Sequence, residues 1–216
     1  MDHLRVSIVD AGGAGGNLLA DILDLQSQLA WRPDLTASEQ ARGFLATTWS
    51  LAELRALLDE GAYAAVAADS ATGQLQGYSL MAPIRHLPPG DFVPAPGSPI
   101  RARADLMDGR RFVYGYQLAV RRGGAQGGLP ASVAILRAIA GENTRRGINA
   151  VSCVMEAPAC NALSQGFLSA MGLTRIGTLH ASQAPPLIRG QVTWACMLRL
   201  PLRFPRAIQG GGHDLG

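Results

Sequence analysis

A strand, a glycine-rich turn and a helix follow one another in residues 111–147, and this unit constrains the fold more than any other part of the chain. The stretch FVYGYQLAV is apolar enough for a buried strand, and glycine-rich residues 121–128 follow it directly. Pro130 suits the first turn of a helix, and Gly147 suits its end. Between them, apolar residues recur at helical spacing: Leu129, Val133, Leu136, Ala140. The sequence therefore predicts a strand, turn and helix within a mixed α/β fold.

The glycine-rich turn also predicts a binding site for phosphate. A helix that opens from such a turn presents free N–H groups and the positive end of its dipole, and both favour an anion. Glycine allows the backbone to come close to a ligand, and the neighbouring Arg121 and Arg122 carry guanidinium groups that suit phosphate geometry. The same pattern is compatible with a plain turn that only joins a strand to a helix, so both interpretations stay open.

Length and composition predict one globular domain in residues 1–204, followed by a flexible tail in residues 205–216. The N-terminus has no secretory pattern, and no apolar run approaches the ~20 residues of a membrane span, so we expect a cytoplasmic protein without a membrane partner. The three cysteines are odd in number and lack CxxC spacing, which argues against a disulfide framework and against a metal site.

The sequence contains no lysine, because all 19 basic residues are arginine. Chemistry that needs a primary amine on the protein, such as a Walker A lysine or a Schiff base, is therefore excluded. The net charge of +3 is mild, and the arginines form no basic stripe interleaved with aromatic residues. We therefore expect no nucleic-acid partner.

The remaining pattern predicts the other helices and strands. A strand at 5–10 precedes a helix that Asn17 caps and that runs to Leu29, and a broken helical region spans 38–60 with a Ser50–Glu53 capping box. A proline-rich loop occupies 85–105. The other predicted elements are a hairpin at 63–68 and 74–84, a strand at 148–155, a helix at 161–171 and a hairpin at 174–181 and 191–200. This order predicts a mostly antiparallel sheet with flanking helices, in which the fourth strand, third helix and fifth strand form a central parallel crossover.

Two segments resemble the GNAT superfamily of N-acyltransferases. LAV at 118–120 followed by QGGLPA at 126–131 is similar to the end of the family's fourth strand and its pyrophosphate loop, Q/R-x-x-G-x-G/A. NALSQGFLSAMGL at 161–173 is similar to the family's segment N-x-x-A-x-x-F/Y-Y-x-x-x-G-F. The chain departs from these patterns at Leu129, where glycine is usual, and at Leu168, where tyrosine is common. Ser164 stands at the position of the small residue that the second pattern gives as alanine.

The resemblance implies an acyl-CoA-dependent N-acyltransferase that moves an acetyl group from acetyl-CoA, or another short acyl group, to a primary amine of a small molecule. The resemblance is also compatible with a homodimer of this chain. Asn161 would contact the pantetheine arm or simply cap its own helix. The cofactor-binding residues that the resemblance implies are Leu118, Ala119, Val120, Gln126, Gly127, Gly128, Leu129, Pro130, Ala131 and Asn161.

Direct acyl transfer needs a base for the amine proton, a strand N–H for the carbonyl and, in some members, an acid for the thiolate. Leu168 cannot serve as that acid, so Tyr116, Ser164 and Tyr114 are the substitutes, although coenzyme A thiol is acidic enough to leave without one. Glu156 is the candidate base for the amine proton. The alternative is that its carboxylate is salt-bridged or solvated and has no catalytic role. His86 and His180, beside the loops expected to flank the acceptor, are bases or surface residues.

Two other functions, a silent acyl-CoA binder and an oxidoreductase, are compatible with parts of the sequence, and one loop predicts a property of the acceptor. The missing tyrosine is compatible with a catalytically silent protein that binds or senses acyl-CoA. GGAGG at 12–16 suggests a dinucleotide-binding oxidoreductase, but the G-x-G-x-x-G pattern ends on Leu18 instead of glycine. Arg85, Arg101 and Arg103 on the proline-rich loop predict a clamp for an anionic group on a small acceptor.

Overall fold

The computed structural model describes residues 3–41, 44–45, 48–121, 129–157, 160–181 and 192–198. The predicted tail at 205–216 lies outside them. The described strands join in a single sheet, and in chain order they are β1 (Leu4–Val9), β2 (Tyr63–Asp69), β3 (Leu75–Pro83), β4 (Gly90–Pro94), β5 (Phe112–Val120), β6 (Asn149–Ala157), β7 (Thr174–Ala181) and β8 (Val192–Leu198). The order across the sheet is β1-β2-β3-β5-β6-β8-β7-β4.

Six α-helices lie in the described part of the chain: α1 (Gly16–Leu29), α2 (Ala37–Ala41), α3 (Leu51–Asp59), α4 (Arg103–Leu106), α5 (Leu129–Arg146) and α6 (Ala162–Ala170). A 3-10 turn at Ile84–His86 follows β3. Within these described helices, none combines the length and the apolar character that crossing a bilayer requires.

The sheet is antiparallel except at its centre, where β5 and β6 pair in parallel and α5 connects them along the chain. The predicted mixed α/β class, with a mostly antiparallel sheet and flanking helices, is confirmed. The apolar stripe of α5, including Val133, Ile135 and Ile139, is buried on one side of the sheet. The stripes of α1 and α3, including Leu25 and Leu54, are buried in a separate cluster with β2 and β3.

The prediction of an irregular loop at residues 85–105 is wrong in part. β4 and α4 lie in this segment, and β4 forms the edge of the sheet by pairing with β7, with Phe92 opposite Leu179. Ile100 and Leu106 are buried against the start of β5. A strand of five residues that ends in proline has no periodicity to detect, and an edge is where a sheet tolerates proline.

The helix starts test the capping predictions. The Ser50–Glu53 capping box is confirmed, since Ser50 N–H donates to Glu53 Oε2 at 2.8 Å and Glu53 N–H donates to Ser50 Oγ at 3.3 Å. The prediction that Asn17 caps the first helix is wrong, because α1 begins one residue earlier, after Gly15, with no side-chain cap. The preceding turn is closed instead by Asp10, whose carboxylate accepts the N–H groups of residues 12 and 13.

The same turn settles the dinucleotide-binding alternative. β1 is an edge strand and pairs antiparallel with β2, so the glycines at 12–16 do not join two parallel strands through a helix. A Rossmann site requires that parallel unit, because the helix N-terminus and the strand end must converge on one pyrophosphate. The glycine-rich turn at 12–16 therefore serves the entry into α1.

Glu142 near the end of α5 leads to a prediction about stability and pH. Arg145 and Arg146 both hydrogen-bond its carboxylate at 2.6 Å, and the bond from Arg145, followed by that from Arg146, lowers the pKa of Glu142 to about 2. A lowered pKa in the folded state contributes stability above the unfolded value, and this contribution is lost as the pH falls toward 2. We expect Glu142→Gln to be less stable than the parent in urea at pH 7, with the difference shrinking between pH 4.5 and 2. A difference independent of pH would contradict this origin.

Candidate active site

The central strands separate at one end of their parallel ladder. Pairing runs from Phe112 opposite Asn149 to Gly115 opposite Ser152, and both strands then continue without pairing to each other. Residues 116–120 of β5 and 153–157 of β6 thus bound a gap in the sheet, which we call the strand opening. The chain leaves β5 at this end and continues into the glycine-rich residues 122–128, which lie outside the described residues, so the predicted phosphate site follows the strand opening directly along the chain.

A β-bulge at Tyr116 explains why the strands separate there. Between β3 and β5, Leu80 lies opposite Gln117 and Met81 lies opposite Gly115, so Tyr116 is the extra residue. A bulge bends its strand and increases the local twist, which turns the rest of β5 away from β6. Tyr116 consequently stands at the closed end of the strand opening.

The edge of β5 in the strand opening offers main-chain groups to a ligand. Arg121 N–H donates to the carbonyl of Gln76 on β3 at 2.7 Å. In an antiparallel pair the main-chain groups of every second residue point toward the partner strand, so those of Ala119 also point toward β3. The main-chain groups of Leu118 and Val120 therefore face the opening. An extended ligand with amide groups can pair with such an edge as an added strand would.

Gly77 on β3 lets the two strands come this close. A Cβ at this position would lie 2.7 Å from the carbonyl oxygen of Ala119, which is too short for any real contact. Of the predicted cofactor residues on β5, Leu118 and Val120 thus bound the opening, and Ala119, 1% exposed, pairs with Tyr78.

The other predicted cofactor residues lie around the start of α5. Gln126, Gly127 and Gly128 fall outside the described residues. Leu129 and Pro130 are the first two residues of α5, and Ala131 is buried in the core on the α5 side of the sheet. The predicted helix start is therefore confirmed, and the N-terminus of α5 follows the end of β5 by the short connection 122–128.

Asn161 is held by main-chain and side-chain hydrogen bonds at the β6 side of the opening. Its N–H donates to the carbonyl of Met155 at 3.0 Å, and its Nδ2 donates to the carbonyl of Phe44 at 2.9 Å. Its Oδ1 accepts the N–H of Ser164 at 3.3 Å, which caps α6. The capping role is thus present, and the same side chain, 7% exposed, ties β6 and α6 to the segment around Phe44.

Tyr116 lies among aromatic rings on the α1 and α3 side of the sheet. Its ring centroid is 4.5 Å from that of Trp49, in an edge-to-face arrangement, and 4.7 Å from that of Tyr114. Burial, followed by the negative charges of Glu53 and Cys153, raises the pKa of Tyr116 to about 12. The phenol is therefore neutral at physiological pH and able to donate a hydrogen bond.

The remaining catalytic candidates have different surroundings. Glu156 forms an ion pair with Arg175 at 3.3 Å, which is the salt-bridged alternative considered above. Ser164 is partly buried, and its main-chain N–H is the group that Asn161 caps. Leu168, at the usual tyrosine position, is buried in the core on the α5 side and offers no proton.

A buried polar connection lies behind Tyr116, and no sequence motif predicted it. The Oε1 atom of Gln26 accepts the N–H of Trp49 at 2.8 Å and the Nε2 group of Gln117 at 3.3 Å. Tyr78 OH donates to Gln117 Oε1 at 2.8 Å, so one chain of hydrogen bonds crosses from β3 to α1. A signal was present in the sequence, because Gln26 interrupts the apolar stripe of α1 and is 2% exposed.

Two of the three arginines predicted to clamp an anion are bound by the protein itself. Arg85 and His86 both contact Glu60 Oε2, at 2.7 and 2.8 Å. Arg103 donates to the carbonyls of Leu87 and Gly90 at 3.2 and 3.4 Å, which fastens the segment before β4. Arg101 and His180 are exposed. The structure therefore does not bring these arginines together at the strand opening.

Comparisons with known proteins give structural similarity without detectable sequence similarity. No protein-family model and no curated protein matches the chain. Among solved structures, aminoglycoside 6'-N-acetyltransferase from Enterococcus faecium has a TM-score of 0.58 at 12% identity, covering 91% of this chain and 99% of that one. NAA60 of Arabidopsis thaliana, in complex with acetyl-CoA, has a TM-score of 0.58 at 10% identity, covering 91% and 98%.

A protein from Desulfovibrio desulfuricans that is assigned to the GNAT family has a TM-score of 0.53 at 13% identity. The superposition covers 90% of this chain and 99% of the Desulfovibrio protein. The similarity extends over nearly the whole of each protein, so it concerns the complete sheet and its helices rather than one motif. The chain therefore has the fold of the GNAT acetyltransferases.

Proposed function

We propose that the protein is an acyl-CoA-dependent N-acyltransferase, which transfers an acetyl group from acetyl-CoA to a primary amine of a small molecule. The strand opening carries this proposal. It combines a β5 edge that does not pair with β6, a neutral phenol at its closed end and, in the sequence between β5 and the N-terminus of α5, a run rich in glycine. A plain turn between a strand and a helix would require neither the bulge nor the opening.

The residues present fit a coenzyme A thioester. The main-chain groups of Leu118 and Val120 would pair with the amides of the pantetheine arm, as an added strand does. The N–H groups at the start of α5 and in residues 126–131 would receive the pyrophosphate. Among the structural neighbours, NAA60 is in complex with acetyl-CoA and an aminoglycoside 6'-N-acetyltransferase is complexed with coenzyme A, which supports this assignment of the ligand.

The reaction forms a bond between the amine nitrogen and the acyl carbon and breaks the bond between that carbon and sulfur. The amine loses a proton, and the departing thiolate gains one. A main-chain N–H of β5 beside the bulge would stabilise the negative charge that develops on the carbonyl oxygen. Tyr116, whose phenol stays neutral at physiological pH, would donate its phenolic hydrogen toward the leaving sulfur. Glu156 is a weaker choice of base, because its charge is already paired with Arg175.

The test is release of free thiol from acetyl-CoA in the presence of a broad panel of primary amines. We expect turnover with at least one amine, and we expect Tyr116→Phe to lower kcat by about a hundredfold or more, from the low end of a general acid's contribution upward. Since the substitution retains the ring, the Kd for coenzyme A should stay within about twofold, a change of only ~0.4 kcal/mol. An unchanged kcat would remove Tyr116 from the mechanism.

A catalytically silent acyl-CoA binder is the second candidate, because Leu168 is buried and replaces the tyrosine found in many members of the family. Both candidates bind coenzyme A, so binding does not separate them. Binding of acetyl-CoA without thiol release across the whole amine panel would favour the silent protein. A thermal shift with NAD or NADP and none with acetyl-CoA would instead favour the oxidoreductase that the sheet topology argues against.

A further inference from the structure

The segment before α3 brings an aromatic wall to the strand opening. Trp49 packs on Tyr116 at 4.5 Å, and Tyr116 packs on Tyr114 at 4.7 Å. Trp49 and Tyr116 are only partly buried as residues. Flat rings held in contact at the closed end of the opening form a surface that suits the face or edge of another ring.

Trp49 is held in this place by its main chain. Its N–H donates to Gln26 Oε1 at 2.8 Å, and Gln26 is fixed in turn by Gln117 of β5. The capping box at Ser50 and Glu53 fixes the next residue of the chain. The position of the indole therefore depends on buried polar groups of α1 and β5, which a ring lying on the surface by chance would not need.

A second tryptophan lies on the β6 side of the opening. Trp31 packs with Phe44, Leu35 and Met155, and Met155 lies in the part of β6 that does not pair with β5. The indole N–H groups of Trp31 and Trp49 have no hydrogen-bond partner among the described residues. A buried donor without a partner costs free energy, and an oxygen atom of a ligand is one group that would satisfy it.

The charges around Tyr116 indicate which ligands suit this wall. Glu53 and Cys153 are the two ionisable groups whose charges act on the phenol among the described residues, and both carry negative charge when ionised. The side chains of Arg85 and Arg103, two of the arginines predicted to clamp an anion, are bound to Glu60 and to main-chain carbonyls. One carboxylate beside aromatic rings favours a single ammonium group, to which the rings add a cation–π attraction.

We propose that the acceptor is a primary amine carried on a flat apolar body, such as an arylalkylamine, which stacks against Trp49 and Tyr116 at the strand opening. This inference rests on the proposed function and assigns its substrate class. It replaces the anionic acceptor that the sequence suggested. A polyamine carries several positive charges and would pair only one of them with a carboxylate at this site. A phosphorylated amine would be repelled by the acidic groups, because the predicted arginine clamp is not present there.

The experiment compares four amines of different chemistry: 2-phenylethylamine, n-hexylamine, spermidine and glucosamine 6-phosphate. Thiol release gives kcat/KM for each, and calorimetry on the protein saturated with coenzyme A gives the Kd for each without requiring turnover. We expect 2-phenylethylamine to be preferred over the other three by at least about tenfold in both measurements, or ~1.4 kcal/mol. A preference for spermidine or for the sugar phosphate would overturn the proposal.

Two variants of the α3 segment test the role of the indole. Trp49→Leu should weaken 2-phenylethylamine by about tenfold or more and n-hexylamine by less than threefold, with the Kd for acetyl-CoA unchanged. The main-chain bond to Gln26 survives this substitution, and thermal unfolding checks that the fold does too. Leu51→Ala, an exposed apolar residue of the same segment, is the matched control and should change neither amine. Equal loss for all amines in Trp49→Leu would also overturn the proposal.

The two measurements separate failure of this inference from failure of the proposed function. If no amine releases thiol, the transferase assignment fails. If 2-phenylethylamine then still binds best to the protein with coenzyme A, and Trp49→Leu abolishes this preference, the aromatic acceptor surface is supported without catalysis. If thiol is released but no aromatic preference is seen in either measurement, the transferase assignment stands and this inference is wrong.

Discussion

Acetyl-CoA is expected to stabilise the folded protein substantially. A ligand that binds the native state alone adds about 2.7 kcal/mol to the free energy of unfolding at a hundredfold excess over its Kd. For a chain of this size, that corresponds to a rise of about 5–11 °C in the thermal midpoint. Calorimetry with acetyl-CoA, propionyl-CoA and free coenzyme A measures the affinity directly. No interaction with any of them at millimolar concentration would refute the proposed function.

The same measurement distinguishes the loop amides from the arginine side chain as the source of phosphate affinity. Gly128→Val introduces a β-branched residue that restricts the backbone and blocks close approach of a phosphate. We expect it to weaken acetyl-CoA binding by more than Arg122→Ala, since the sequence of residues 123–128 is rich in glycine and the helix start follows it. If Gly128→Val binds acetyl-CoA as the parent does, the loop is only a connection.

Asn161→Leu is expected to be the most destabilising change near the strand opening. It removes the cap of α6, worth about 0.5–2 kcal/mol, and leaves the buried carbonyl of Phe44 without its donor, which costs about 1–3 kcal/mol more. Urea unfolding without any ligand measures the total. A change below about 0.5 kcal/mol, typical of a surface substitution, would show that these bonds contribute little.

Asn161→Asp separates the two roles considered for this residue. The carboxylate retains the acceptor that caps α6 but loses the Nδ2 donor to Phe44, so an intermediate loss of stability is expected. If Asn161 acts only as a structural residue, the Kd for acetyl-CoA should be the same in all variants at temperatures where all are folded. A rise in Kd in a fully folded Asn161→Asp protein would indicate a contact with the pantetheine arm.

Several local features could be predicted from the sequence because their cause is local. The capping box at Ser50 and the cap at Asn161 depend on residues three positions apart, so their spacing is visible in the chain. The unit of β5, a glycine-rich turn and α5 could be predicted for the same reason, because helical periodicity and punctuation by proline and glycine act over one or two turns. The order of the predicted elements gave the expectation of a mostly antiparallel sheet, to which the resemblance to GNAT proteins also points, and the structure bears it out.

Features that join distant parts of the chain could not be predicted in this way. β4 forms because residues 90–94 find the edge of β7, which lies far along the sequence, and nothing in their own pattern specifies that partner. The sequence predicted that Arg85 and Arg103, in a proline-rich loop, could bind an anionic ligand. In the folded protein, Glu60 binds Arg85, and two main-chain carbonyls bind Arg103. A sequence does not show which charges are already paired.

The sequence by itself determined the class of fold, the helix starts at Ser50 and Asn161 and the place of the glycine-rich turn after a central strand, because each follows from local spacing. Tertiary structure alone decided how β5 and β6 separate and what surrounds the opening. The bulge at Tyr116 is defined only by its pairing with β3, and the contact between Tyr116 and Trp49 joins residues that are neighbours only after the sheet has formed. Register and long-range packing depend on partners elsewhere in the chain, and local propensity does not encode them.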